Sequence, residues 1–112
     1  MLSKNYRMKK NSQFDYIFKN GKTLKLGKLL IFYSKSKSKT PKIGIVVSKK
    51  IGKSVVRNHV KRLIRESVHQ NLHILNKKLN YVIVARQGIE NLSYNEIKTT
   101  ILNLLTKNEL ND

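Results

Sequence analysis

The chain has 112 residues, 39% of them hydrophobic, enough for one domain with a real core and too few for two. It has no cysteine, which excludes a disulfide framework, a thiolate nucleophile and a thiolate metal site. The net charge of +18 is one-sided: residues 1–65 hold 19 Lys or Arg against a single acid, Asp15, whereas residues 66–112 hold five of each sign. A codon bias toward lysine would enrich glutamate as readily, so a field of this kind points to a polyanionic partner. The longest apolar runs, Leu29 to Tyr33 and Ile45 to Val47, are too short to span a bilayer. No apolar signal-peptide core follows the basic N-terminus, and the cytoplasm is the expected compartment.

Residues 1–10 read as a mobile basic arm within one domain covering 1–112. Ser12 is expected to cap a short helix, with Asp15 complementing its dipole. Phe14, Ile17 and Phe18 share a face of that helix, and Asn20-Gly21 ends it with residues that tolerate a left-handed conformation. Two phenylalanines at this spacing are ordinarily core. From Thr23 to Ser34 the pattern turns β-like, with Leu24 and Leu26 followed by LLIFY, as one strand or two. The segment Lys35 to Lys42, KSKSKTPK, is a polar loop, either a solvated turn or a cationic fringe. Ile43 to Ser48 is a short buried strand.

The stretch that follows, SKKIGKSVVRNHVKRLIRESVH over Ser48 to His69, reads as a helix with cations opposite branched aliphatics. Lys53, Arg57, Lys61 and Arg65 recur every four residues, and Asn58, Arg62 and His69 share their arc. Val56, Val60, Leu63, Ile64 and Ser67 form the core-facing stripe, with Val55 and Val68 outside it. Like charges at this spacing repel by a few tenths of a kcal/mol per pair (~0.2–0.5), a penalty that a polyanion removes. Leu72 to Asn80 is a helical extension or a linker. Tyr81 to Ala85, YVIVA, is a strand. Ser93 and Glu96 form a capping box for a last helix with a stripe of Ile97, Ile101, Leu102 and Leu105. Strands 43–48 and 81–85, joined by a long helix, are expected to be parallel neighbours on one sheet.

No catalytic constellation stands out, because the six acids are scattered. If the central helix continues, Glu66, His69 and His73 lie on one face as a three-ligand metal set. Histidines near a helix C-terminus more commonly just complement its dipole, so no metal site is assigned. Aromatic side chains beside cations suit stacking on unpaired bases, which favours RNA or single strands. A double-stranded DNA binder gains only from the basic helix and lacks a helix-turn-helix.

At Arg57-Asn58 the segment VSKKIGKSVVRNHVKRLIRES resembles the signature of the bacterial ribonuclease P protein component. That family has a Ser-Lys-Lys-x-Gly lead-in followed by an Arg-Asn-Arg-like motif on its central helix. Phe14, Phe18 and Gly21 are similar to its aromatic first helix, YVIVAR to its last strand, and Ser93 to Glu96 to its final helix start. Ser54 stands where the family usually has alanine and His59 where it most often has arginine, so one cation becomes a group largely neutral at pH 7.

The resemblance implies an α+β fold: a single-domain α/β sandwich in which a small mixed sheet packs with three helices in the order αβββαβα. It also implies a left-handed crossover between the parallel strands, where right-handed ones prevail in about 98% of cases. It implies a subunit of an endoribonuclease whose RNA carries the chemistry with Mg2+, removing the 5′ leader of precursor tRNA, while the protein alone is inactive and binds no cofactor. By that likeness Phe14, Phe18 and Phe32 line the cleft for the single-stranded leader. Lys49, Lys50, Lys53, Arg57, Asn58, His59, Lys61, Arg62 and Arg65 face the RNA subunit. The implied partners are that RNA and the leader, with no membrane and no required protein partner. The competing reading is a ribosomal or general RNA-binding protein without a role in catalysis.

Overall fold

A four-stranded mixed sheet separates two unequal layers of helix in the computed structural model, which describes residues 6–37, 40–107 and 110. Helix α1 spans Asn11–Asn20, α2 Ser54–Gln70 and α3 Tyr94–Leu105; the strands are β1 Lys22–Leu26, β2 Leu29–Lys35, β3 Ile43–Val47 and β4 Leu79–Ala85. Sheet order is β1-β2-β4-β3, with β3 and β4 parallel and the other pairs antiparallel. The order αβββαβα and the parallel pairing of the strands flanking the long helix are as expected, in the register Ile43↔Tyr81 to Val47↔Ala85. The β-like segment divides into two strands at Gly27, whose φ of 57° suits a residue without a Cβ at the hairpin turn.

Alternation along the strands assigns the layers. Leu29, Ile31 and Tyr33 of β2, Ile43 and Val47 of β3, and Tyr81, Ile83 and Ala85 of β4 pack with Val60, Ile64 and Val68 of α2 and the apolar side of α3. On the opposite face Val82 packs with Ile17 of α1 and with Met8, flanked by half-buried Phe14, Phe32, Val46 and Val84. Residues 1–5 of the basic arm lie outside the described residues. From its second half, Arg7 bridges to Ile43, and the Met8 N–H donates to the Ile43 carbonyl at 2.9 Å. Ser38 and Lys39, in the middle of the expected cationic loop, also lie outside.

Several local expectations are corrected. Helix α1 begins one residue before Ser12: Lys10 takes the N-cap, its N–H donating to Gln13 Oε1 at 3.3 Å. Asp15 therefore falls outside the first turn, where the dipole is felt. Gly21 is extended rather than left-handed. Glycine is needed there because a Cβ would come within 2.6 Å of the Ile17 carbonyl oxygen and 2.8 Å of that of Tyr33.

In α2 the stripe Val56, Val60, Leu63, Ile64 and Ser67 faces the core, and the Ser67 hydroxyl is satisfied by the Leu63 carbonyl at 2.9 Å. Val68 joins that buried side, whereas Val55 remains 80% exposed. The capping box of α3 forms as expected: Ser93 Oγ accepts from the Glu96 N–H and Glu96 Oε1 from the Ser93 N–H, each at 3.2 Å. Its stripe runs through Leu104 instead of Leu102. At about 100° per residue Leu104 lies close to the Ile97 direction, while Leu102 turns toward solvent. Leu72 to Asn80 resolves into a short 3-10 turn at Leu72–Ile74, a loop and the start of β4.

Candidate nucleic-acid interface

Two surfaces carry the residues singled out from the sequence, and β3 joins them. The first is α2 with the 3-10 turn Lys49–Ile51 that leads into it. That turn buries Ile51 and leaves Lys49 and Lys50 exposed. Gly52 follows with φ 153°, where a Cβ would press on Val56 at 3.3 Å, and the chain enters α2 at Lys53. All nine residues assigned to RNA-subunit contact escape burial: Lys49, Lys50, Lys53, Asn58, His59 and Arg62 are exposed, and Arg57, Lys61 and Arg65 are half-buried.

Helical geometry accounts for the difference. Residues four apart advance about 40° per step at 3.6 residues per turn. The row Lys53, Arg57, Lys61 and Arg65 therefore spirals along the flank of the buried stripe, while Asn58 and Arg62 point straight outward. The guanidinium of Arg57 is held by neutral acceptors, Nε donating to the Gly52 carbonyl at 3.1 Å and an Nη to Ser54 Oγ at 3.1 Å. It is fixed in place with its charge uncompensated by either contact. An Nη of Arg62 lies 3.2 Å from His59 Nδ1, aligning these two exposed side chains.

The second surface is the face of the sheet that α1 only partly covers. Helix α1 lays Ile17 over Val82 and Phe14 over Gly44, where a Cβ would come within 2.6 Å of Phe14 Cζ. That glycine lets the ring sit directly on β3. Phe18, 42% exposed, meets Phe32 edge to face with ring centroids 4.9 Å apart. Leu30, Val46 and Val84 remain half-buried beside them. The three phenylalanines named from the sequence are thus brought together on the sheet face that carries α1.

Two cations on this face of the sheet escaped sequence reading. Lys25 pairs with Leu30 across the β1–β2 ladder, so the pleat turns both toward the α1 side. Exposed Arg86, one residue beyond β4, continues the alternation of Val82 and Val84. Strand register is the signal that finds them, and register is absent from a linear pattern.

The histidine set comes apart. Helix α2 ends at Gln70, and His73 sits in the following 3-10 turn, off the helical row of Glu66 and His69. Among the described residues no group of three or more His, Cys, Asp or Glu could hold a metal ion. A divalent magnesium ion requires several oxygen ligands in near-octahedral array, and these protein residues do not fit one.

The family model described as Ribonuclease P matches residues 2–109. The chain is 38% identical over 104 residues to the ribonuclease P protein component of Clostridium kluyveri, covering 91% of this chain and 93% of the relative. Its fold matches a solved structure of the Staphylococcus aureus RNase P protein with a TM-score of 0.87 at 28% identity, covering 96% of this chain and 98% of that one. A mutant of the S. aureus protein, described as having defective mRNA degradation activity, matches with a TM-score of 0.85 at 30% identity, covering 91% and 86%.

Proposed function

The chain belongs to the ribonuclease P protein family and is the protein subunit of that endoribonuclease, and on that premise we propose how its two surfaces serve the holoenzyme. The cationic surface of α2, with Lys49 and Lys50 before it, docks on the catalytic RNA subunit. The groove of Phe14, Phe18 and Phe32 holds the single-stranded 5′ leader of precursor tRNA. Bases of any sequence can stack there on exposed ring surface, while Lys25 and Arg86 meet the phosphates. Mg2+ is held mainly by the RNA subunit, which carries out the hydrolysis. The protein raises leader affinity and favours productive metal binding. The cytoplasm is the proposed compartment; among the described residues no helix is long and apolar enough to cross a membrane.

The observation that carries this reading is the edge-to-face pair of Phe18 and Phe32, with Phe18 42% exposed, on the sheet face opposite the one that α2 covers. A general RNA-binding protein shares the charge but does not account for the family match across the chain. Equilibrium binding to precursor tRNA with and without its leader, in the presence of the RNA subunit, tests the groove. Leader-dependent tightening that Phe18→Ala removes supports it, and equal affinity for both substrates overturns it.

A further inference from the structure

A cavity of about 310 Å3 lies on the other flank of α1, between that helix and the end of β2. Phe14, Phe18 and Phe32 take no part in lining it, so it is separate from the groove. Lys35, Lys37 and Lys42 line it, and among the described residues no acidic side chain does. Its size is at the lower end of small-ligand pockets (~300–1,000 Å3), room for one nucleotide and not for a folded partner.

Its polar groups are oriented for a ligand. Ser34 Oγ is buried without a hydrogen-bond partner among the described residues, a costly condition that a bound acceptor or donor relieves. Asn80 Oδ1 accepts from the Lys42 N–H at 2.9 Å, which leaves the Asn80 amide to donate. Gln13 Oε1 accepts from the Lys10 N–H at 3.3 Å, leaving its amide likewise. Tyr16, also in the lining, keeps 56% of its surface exposed although it is aromatic.

We infer that this cavity is a subsite for one nucleoside monophosphate unit. Its phosphate meets Lys35, Lys37 and Lys42, its base lies on the Tyr16 ring, and the base edge is within reach of the Gln13 and Asn80 amides. Lysine supplies phosphate affinity as a point charge, and ring stacking contributes without demanding a particular base. The subsite does not depend on the groove; it rests on the RNA-binding reading only for whether the nucleotide arrives free or within a single strand.

The chain contains no tryptophan, so Tyr16→Trp places a single fluorescent reporter at the cavity. The expected result is saturable quenching by adenosine 5′-monophosphate, weakened at least tenfold by Lys35→Gln combined with Lys42→Gln in protein whose melting temperature is unchanged. Inorganic phosphate competes more weakly. Quenching by a short single-stranded oligoribonucleotide as well as by the mononucleotide identifies a strand as the source, and quenching by the mononucleotide alone a free nucleotide. Side-chain amide NMR signals of Gln13 and Asn80 in the unsubstituted protein provide the same titration without the Trp.

Absence of saturable change in both measurements, indifference to the lysine substitutions, or phosphate binding as tightly as the nucleotide overturns the inference. Leader affinity of the holoenzyme, measured with Phe18→Ala in parallel, keeps the two readings apart. If the cavity is silent while Phe18→Ala still weakens the leader, the subsite falls and the groove stands.

Discussion

Phe18 stands edge-on to Phe32 at a centroid distance of 4.9 Å and an interplanar angle of 87°, joining the last turns of α1 to the middle of β2. The contact leaves Phe18 largely outside the core, while Ile17, its neighbour in sequence, is fully buried. Adjacent residues of one helix therefore sit in opposite surroundings.

Phe18→Ala is expected to weaken leader binding by about 5- to 160-fold, the equivalent of ~1–3 kcal/mol for one base stacked on an aromatic ring. Thermal stability changes little. Ile17→Ala is the control in the other direction, destabilising by about 2–5 kcal/mol. Denaturant unfolding and leader titration on both variants check the assignment; a large loss of stability in Phe18→Ala would make that ring structural.

Arg57 and Arg62 are expected to separate in the same way. Both substitutions to Ala weaken assembly with the RNA subunit, and each lost phosphate contact lowers the salt slope by roughly 0.7–0.9. Arg57→Ala also releases the Gly52 carbonyl, at a cost of about 1 kcal/mol in stability. Arg62, fully outward, has no such carbonyl to hold and its substitution is neutral for folding. Binding measured across salt concentration, beside chemical unfolding, distinguishes the two.

His59→Arg is expected to tighten RNA-subunit binding and steepen its salt dependence by roughly 0.7–0.9, because it adds one exposed cation to the outer side of α2. The new guanidinium sits three residues from Arg62, so folding weakens by a few tenths of a kcal/mol (~0.2–0.5). An unchanged salt slope would place position 59 away from the phosphate track.

Tyr81 lies in the core with its hydroxyl accepting from the Asn76 N–H at 2.9 Å. Burial pushes the phenol above its ordinary value of 10.0, and the hydrogen bond with the Asn76 backbone pulls it partly back. The folded value exceeds the unfolded one, so this contribution to stability is full below pH 10.0 and is lost as pH rises through the folded value. Unfolding free energies of the wild type and Tyr81→Phe should differ by a constant below that pH, and the wild type should lose stability relative to the variant above it. A flat difference throughout would mean that Tyr81 ionises as freely in the fold as outside it.

Features written in local pattern were legible from the sequence. The α3 capping box needs only Ser93 and Glu96, and the α2 stripe needs only helical spacing. The parallel β3–β4 pair follows from the helix that links two apolar runs. Features set by distant partners were not legible. Gly21 is required by the carbonyl of Tyr33, and Gly44 by the ring of Phe14. Val68 belongs to the core because the elements packed around the end of α2 cover it, although helical spacing alone puts it beside the cations. Phe14, Phe18 and Phe32, which the fold gathers on the α1 side of the sheet, could be named in advance, but that Lys25 and Arg86 lie on the same side emerges only from strand register. The cavity behind α1 draws residues from α1, the end of β2, the loop beyond it and the start of β4, and no short motif contains them.

The central claim is that the protein holds RNA while another molecule breaks the bond. Reconstitution with the RNA subunit from the same source, assayed on precursor tRNA across magnesium concentration, tests it most directly. The expected result is turnover restored by the protein at low magnesium, with no cleavage of precursor tRNA by the protein alone. Cleavage at the leader junction by RNA-free protein, or turnover by the RNA that is indifferent to the protein at every magnesium concentration, would contradict it.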